Sequence, residues 1–388
     1  MKKKQYQFSG GATNYYFDAD FGYLGKLVNK DNTVLITDEH VFEKQQRKFG
    51  GWNTIVIHAG EEFKVQATVD SIIAQLIEMG ADRQTTLVGV GGGVVTDVTG
   101  YVAAIFMRGL SFGFAPASVL AMVDASIGGK NGIDVGVYKN MVGTIRQPAF
   151  LLYDFGLLKS LPREEWVNGF AEIIKHAAIR DAALFRELEK NKLANYQKDK
   201  TALARLISRN AAIKSAVVEK DEFEKGDRRL LNFGHTLGHA IENLYELSHG
   251  QAVAIGMVAA CMISEELANF RETDRVIALL KRYGLPTLAE FDTKEVLNIM
   301  RKDKKKLGET MNYVLLKKVG LGVVQPVAVS ELEKLLQSVL AARGSTGQRV
   351  ARKRGPNGGE AEVQTTIEGS RAKRDSSGGG SAAIKTAR

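Results

Sequence analysis

TTLVGVGGGVVTDVTGY, residues 85–101, opens on aliphatic and β-branched residues, breaks at Gly91–Gly93 and resumes with helical spacing. It reads as a buried strand, a glycine-rich turn and a helix. Glycines at such a turn let the backbone approach a diphosphate, and the helix start offers free N–H groups to it. The strict G-x-G-x-x-G fingerprint is not met, because Val94 stands at its sixth position. A tight turn after a strand would use the same residues.

Working outward, NTVLITD (32–38), NTIVIHA (53–59), LSFGFAPAS (110–118) and AFLLYDF (149–155) carry the same strand signature. VQATVDSIIAQLIEMGA (65–81) has apolar residues at helical spacing. Strands alternating with helices predict a parallel α/β sheet over residues 1–160, with its ligand beyond the carboxyl ends of the strands. Asp38, at the end of one strand, suits a ribose hydroxyl and equally suits a helix cap. After Leu161–Pro162 the patterning turns helical in REEWVNGFAEIIKHAAI, DKTALARLISRNAAIKSAVVEKDEF, FGHTLGHAIENL and AVAIGMVAACMISEELANF. MNYVLLKK (311–318) is the exception and predicts a strand or hairpin. Residues 161–343 therefore read as a second, mostly α-helical domain.

Residues 344–388 are rich in Gly, Ser and Arg and nearly free of large apolar groups, so a disordered tail is expected there. The net charge is +9, and this tail holds nine Lys/Arg against four Asp/Glu. Over half of the excess thus belongs to the tail, which weakens a nucleic-acid reading; a linker or extension is the simpler one. Cys261 is the single cysteine, so no disulfide framework forms within the chain, as expected of a reducing, cytoplasmic setting. MKKKQYQF lacks the apolar stretch of a secretory signal, and no apolar run is expected to reach membrane-spanning length.

The chemistry concentrates in three places. SIGGKNGIDVGVYKN (126–140) is glycine-rich and carries Lys130, Lys139, Asn131, Asp134 and Asn140. It reads as a long loop suited to an anionic ligand. Next, NFGHTLGHAIENLYELSHG (232–250) holds three of the chain's six histidines, His235, His239 and His249. His235 and His239, four apart, share a helix face. Thr236 replaces the Glu of the protease motif H-E-x-x-H. A catalytic metal needs three protein ligands and an open position, and Glu172 in GFAEIIKHA (169–177) is the candidate carboxylate. Finally, Lys175, Lys214, Arg228 and Lys304/Lys305 are cations that could converge on a phosphate and a carboxylate.

The order of motifs resembles a known family: GVGGGVVTDVTGYVAAIFMRG (89–109), LAMVDASIGGKNGID (120–134), KN (139–140), LPREEWVNGFAEIIK (161–175), RRLLNFGHTLGHAIE (228–242), HGQAVAIGM (249–257) and RKDKK (301–305). Over Met1 to Leu340 this is similar to the 3-dehydroquinate synthases of the sugar phosphate cyclase superfamily. The resemblance implies a Rossmann-like NAD-binding domain followed by a helical metal- and substrate-binding domain. It implies a lyase of the shikimate pathway that converts 3-deoxy-D-arabino-heptulosonate 7-phosphate to 3-dehydroquinate and phosphate. The cofactors implied are NAD and zinc, with cobalt also able to fill such a site, and the assembly implied is a homodimer.

Position by position, Glu172, His235 and His249 match the family's metal ligands, and His239 matches a histidine that either stands behind the ligands or faces the substrate. Asp38, Glu61, Lys64, Gly91, Gly92, Gly93, Asp97, Ser118 and Lys139 match NAD contacts. Arg108, Asp124, Lys130, Asn140, Asn168, Lys175, Lys214, Glu224, Arg228 and Asn232 match substrate-site positions. The chain departs from the family pattern at PASVL (116–120), where Ala117 lacks a hydroxyl, at Phe223 in DEFE (221–224), and at Asn131. None of these is a metal-ligand position. Another cyclase of the superfamily, or a polyol dehydrogenase that accumulates NADH, would share most of these motifs.

Overall fold

Two strands absent from the expectations above open the chain. β1 (Lys2–Phe8) and β2 (Gly11–Phe17) pair antiparallel, with Phe8 opposite Gly11 across Ser9–Gly10. In β1 the buried side alternates with lysines and glutamines, which shield an edge strand against further pairing. The computed structural model describes residues 1–136, 138–304, 310–343 and 348–353.

The five predicted strands follow. β3 (Thr33–Asp38), α1 (Glu39–Phe49), β4 (Asn53–Ile57), α2 (Gln66–Glu78), β5 (Thr86–Gly91), α3 (Gly93–Ile105) and β6 (Ser111–Pro116) build a parallel sheet, which a later strand completes. Between β6 and β9 (Phe150–Tyr153), β7 (Lys130–Val135) and β8 (Tyr138–Ile145) form a separate antiparallel hairpin. This corrects the reading of 126–140 as a loop. Gly132 and Gly143 face each other in the ladder, where added Cβ atoms would lie 2.7 and 2.3 Å from the opposite backbone. Glycine there serves flush pairing rather than disorder.

The sheet order is β1-β2-β9-β6-β5-β3-β4, parallel apart from β1. β3 is flanked by β4 on one side and β5 on the other, so the order reverses there. The crevice outside strand ends at such a reversal is where open α/β sheets bind ligands. It lies beside Asp38 and the turn after Gly91.

The second half is helical, as predicted: α4 (Arg163–Arg180), α5 (Ala182–Lys190), α6 (Leu193–Lys198), α7 (Lys200–Lys220), α8 (His235–Leu244), α9 (His249–Ala268) and α10 (Thr273–Arg282). β10 (Ala289–Glu290) and α11 (Thr293–Lys304) lead to the predicted hairpin, β11 (Thr310–Lys318) with β12 (Leu321–Ala328), and then to α12 (Val329–Arg343). α4 is a core helix, buried from Asn168 through Ile179. α9 is long and apolar enough to cross a bilayer by length and composition, against expectation, but 67% of its apolar window is buried in the fold.

Lys305, and the tail from residue 354 on, lie outside the described residues. The described part of the tail is tied down: β13 (Gln348–Arg349) runs parallel to β10, and the Ala351 carbonyl accepts the Glu246 N–H at 2.8 Å. The Lys353 N–H donates to the Leu244 carbonyl at 2.8 Å, at the end of α8.

Candidate active site

The helix pattern of HTLGHAIE places His235, His239 and Glu242 along one side of α8, at i, i+4 and i+7. His249 opens α9, where Ser248 caps the helix by accepting the Gln251 N–H. Glu172 and Lys175 project from α4, fully buried. These helices bring one ligand atom each of Glu172, His235 and His249 within 4.8 Å of one another. Nε2 of His235 and of His249 lie 3.6 and 3.4 Å from Glu172 Oε1. Both Glu172 oxygens are buried without a hydrogen-bond partner among the described residues, although the Lys175 ammonium pairs with Oε2. A buried carboxylate in this state, facing two imidazole nitrogens, fits a divalent metal.

The electrostatics agree. Burial alone would raise the Glu172 carboxyl, but Lys175 overcomes it and holds the group well below the usual carboxylate range. Burial, then Lys175, keeps His235 neutral, with its pKa well below the ordinary imidazole value. Its Nδ1 lies 3.2 Å from the Phe233 carbonyl, which leaves Nε2 for a ligand bond. Burial works against charge on His249 too, yet the carboxylates of Glu172 and Glu242 on either side push it up to about 10. The buried carboxylates of Glu172 and Glu242 favour positive charge between them.

Beside this cluster lies a cleft of about 710 Å³ between sheet and helices. Of the predicted residues it gathers Glu61, Lys64, Gly93, Asp97, Asp124, Lys130, Lys139, Asn140, Lys175, Lys214, Glu224, Arg228, Asn232, His235, His239 and His249. Asp124 sits in a π-helical turn, Ala121–Ala125. Burial would raise its pKa, but Lys214, 2.8 Å away, and Lys175 hold it well below the usual range. Lys130 pairs with Glu224, whose other oxygen accepts from Asn232 at 2.7 Å. Arg228 Nη2 donates to the Gly128 carbonyl at 2.9 Å. Lys64 pairs with Asp97 at 2.5 Å and donates to Asn140 at 2.6 Å. Asn140 and Glu224, both lining the cleft, are non-glycine residues at positive φ, a form of strain found at functional sites.

The other predicted residues do not line the cleft. Asp38 is the N-cap of α1, accepting the Val41 N–H at 2.9 Å, so the cap reading holds in the fold. Ser118 accepts the Ala121 N–H at 3.1 Å. Asn168 accepts the Gly250 N–H and so ties α4 to the start of α9, next to His249. Arg108 is exposed beyond the end of α3. At Gly91 an added Cβ would strike Val95 at 2.5 Å. At Gly92 and Gly93 it would meet nothing closer than 3.7 and 3.4 Å, and neither has positive φ. The chain's own packing does not demand glycine at those two positions, which fits the close approach of a phosphate group.

Two residues were missed. Glu242 lies 3.3 Å from His249 Nδ1 and 2.6 Å from Lys139 Nζ. Its signal was the i+7 spacing from His235. His176, fully buried, has Nε2 3.4 Å from Asp124 Oδ1. As a neighbour of Lys175 it carried no spacing signal of its own.

Residues 54–168 match the family described as 3-dehydroquinate synthase N-terminal, and residues 169–306 the family described as 3-dehydroquinate synthase C-terminal. The 3-dehydroquinate synthase of Acetivibrio thermocellus is 38% identical over 348 residues, 85% of this chain and 96% of that one. Among solved structures, a 2-epi-5-epi-valiolone synthase from Streptomyces hygroscopicus with NAD+ and Zn2+ bound is similar at TM-score 0.73 and 26% identity, over 80% of this chain and 92% of that one. A 2-deoxy-scyllo-inosose synthase complexed with carbaglucose-6-phosphate, NAD+ and Co2+ shares the fold at TM-score 0.77 and 24% identity, over 87% of this chain and 99% of that one. The matched residues span the sheet half and the helical half that enclose the cleft, and on these findings the chain belongs to the 3-dehydroquinate synthase family.

Proposed function

We propose that this cleft carries out the family's reaction, release of phosphate from 3-deoxy-D-arabino-heptulosonate 7-phosphate and closure to 3-dehydroquinate. The observation that carries the reading is the convergence of Glu172, His235 and His249 beside a cleft walled by Lys130, Lys175, Lys214 and Arg228. When bound, NAD would supply a transient hydride acceptor, and a divalent metal a Lewis acid that acidifies the substrate hydroxyl.

The chain's own residues orient and neutralise. Glu172, His235 and His249 would hold the metal, and their one carboxylate and two imidazoles suit zinc. The solved relatives with Zn2+ and with Co2+ support a divalent ion and leave cobalt as a second occupant. Gly91–Gly93 would admit the cofactor diphosphate at the start of α3, while Glu61, Lys64, Asp97 and Lys139 order that side of the cleft. Asp38 and Ser118, set back in the fold, would bound the cofactor region. Lys130, Lys214, Arg228 and Asn232 would hold the phosphate and carboxylate and restrain the flexible open-chain intermediate. Glu224 orients Lys130 and Asn232, Asp124 orients Lys214, and Asn168 steadies the helix start that bears His249. His239, facing the cleft beside both metal-ligand histidines, is the group placed to pass a proton.

A homodimer is part of this reading. The exposed apolar side chains Val135 and Val142 on the β7–β8 hairpin, outside the cleft lining, support it, and light scattering on the purified chain measures it. A cytoplasmic setting is supported by the lone, buried Cys261.

The test is turnover of the heptulosonate phosphate with catalytic NAD, following phosphate and the NADH absorbance band together. The expected result is phosphate release with no net NADH, lost on chelation and restored by zinc. Steady NADH without phosphate would make the chain a polyol dehydrogenase instead.

A further inference from the structure

A metal-ligating imidazole has to be neutral, with one nitrogen carrying the proton and the other offering its lone pair. Which nitrogen does which is set by the partner of the N–H. His235 has a backbone carbonyl for that purpose, at Phe233. His249 has a side chain. Its Nδ1 lies 3.3 Å from Glu242 Oε2, while its Nε2 faces Glu172 Oε1 at 3.4 Å. The second Glu242 oxygen accepts from Lys139 Nζ at 2.6 Å. The Glu242 side chain is only 6% exposed, so its charge needs that ammonium.

We infer that Glu242 is a positioning residue for the metal centre, its carboxylate fixing the His249 tautomer through Nδ1–H while Lys139 holds that carboxylate from across the cleft. The inference rests on the metal reading of Glu172, His235 and His249. It goes further in placing a carboxylate behind one ligand, and in tying that carboxylate to the β7–β8 hairpin of the sheet half. Lys139 also lies 3.6 Å from Glu61, and Glu61 3.9 Å from Lys64. The clamp therefore continues as alternating charge along the wall proposed for the cofactor.

The experiment measures zinc affinity of metal-stripped protein by competition with a chromophoric chelator, together with the visible absorption of the cobalt-loaded form. Glu242→Gln keeps the shape and removes the charge. It is expected to weaken zinc binding about 10- to 100-fold, as loss of such outer partners does, and to alter the cobalt spectrum. Lys139→Gln leaves α8 untouched and is expected to weaken zinc by a smaller factor. The double variant should bind no more weakly than Glu242→Gln, because the two act in series.

His249→Ala is the control that separates this inference from the reading beneath it. If His249→Ala loses zinc while Glu242→Gln binds it like the wild type, the Glu242 role is overturned and the metal site stands. If His249→Ala binds zinc like the wild type, the metal reading fails and takes this inference with it. Should Glu242→Gln fail to fold, Lys139→Gln decides: unchanged zinc affinity there overturns the clamp.

Discussion

At the carboxyl end of β5 the wall of the cleft is backbone. Gly93 adds no side chain, and a Cβ there would have ordinary space. On α4 the wall is buried charge: Lys175 lines the cleft with Glu172 behind it, both are all but inaccessible to solvent, and they pair with each other. The sheet half makes room for a ligand by leaving atoms out, and the helical half prepares for one by burying ions that need it. Substitutions should therefore act differently on the two walls. On the backbone wall, added bulk costs binding while the fold stands. On the charged wall, removing one ion unbalances the core itself.

The largest effect expected is at Lys175. Lys175→Met takes from the buried Glu172 carboxylate the ammonium that pairs with it, and breaking a buried pair in this way costs about 3–5 kcal/mol. Urea denaturation of metal-free protein measures it, with loss of turnover alongside. Zinc should recover part of the lost stability, because it binds the folded state only and supplies the missing positive charge. A Lys175→Met protein as stable as wild type without metal would break the contrast between the walls.

Two glycines sharpen it. At Gly89, inside β5, an added Cβ would lie 2.9 Å from Thr99 Oγ1 and 3.1 Å from Phe114. Gly89→Ala should destabilise by about 1–3 kcal/mol through overpacking, with NAD affinity of the folded fraction unchanged. Gly93→Ala should leave the thermal midpoint near wild type and weaken NAD roughly tenfold, a loss of about 1.4 kcal/mol. Differential scanning calorimetry and NAD titration on both variants decide the matter. If Gly93→Ala unfolds early and binds NAD normally, its glycine serves the fold and not the ligand.

The same division explains what could be read from the sequence. Five of the six parallel strands were legible: β3, β5, β6 and β9 because a strand buried on both faces is a continuous apolar run, and the edge strand β4 from NTIVI; β2 was not. The helical half was legible from its apolar spacing. β1 was not, because an edge strand carrying Lys2, Lys3 and Lys4 alternates on one face only. The β7–β8 hairpin was not, because Gly132, paired with Gly143 as a strand residue, sits in a stretch whose glycines read as loop. Glu242 was hidden by distance: its partner Lys139 stands 103 residues away, in the other half. Charge partners across a cleft leave no period in the sequence, whereas a glycine turn is local. The metal ligands became specific through the resemblance; spacing alone had favoured pairing His235 with His239.

The tail offers a smaller test. Ending the chain at Arg343 removes the hydrogen bonds from Glu246 to Ala351 and from Lys353 to Leu244. Each such exposed-side backbone bond is worth about 1 kcal/mol, and the β10–β13 pairing goes with them. Because they hold the end of α8, amide exchange should speed up first at Glu246. Equal exchange rates in full-length and shortened chains would mean that the segment rests on the fold without bracing it.

The smallest effect expected lies on the helical half's outer surface, where charge meets water. Asp181 caps α5, accepting from the Ala183 and Leu184 N–H groups at 3.1 and 2.9 Å, and pairs with Arg209 at 2.7 Å. Burial pushes its carboxyl up, but Arg209 and the backbone N–H groups outweigh that and hold it below the ordinary value. A depressed folded pKa means that the stabilisation is present above the unfolded value of about 4. It is lost as pH falls through the folded value. Asp181→Asn should therefore cost about 1 kcal/mol or less near neutrality, after discounting the ion pair for solvent screening. Below the folded pKa the gap to wild type should close, because both side chains are then neutral. Stability curves of the two proteins from pH 7 to pH 2 read this out. A gap that stays constant to the acid end would assign the whole effect to cap geometry, and charge on this face would then count for nothing, unlike charge at Glu172 and Lys175.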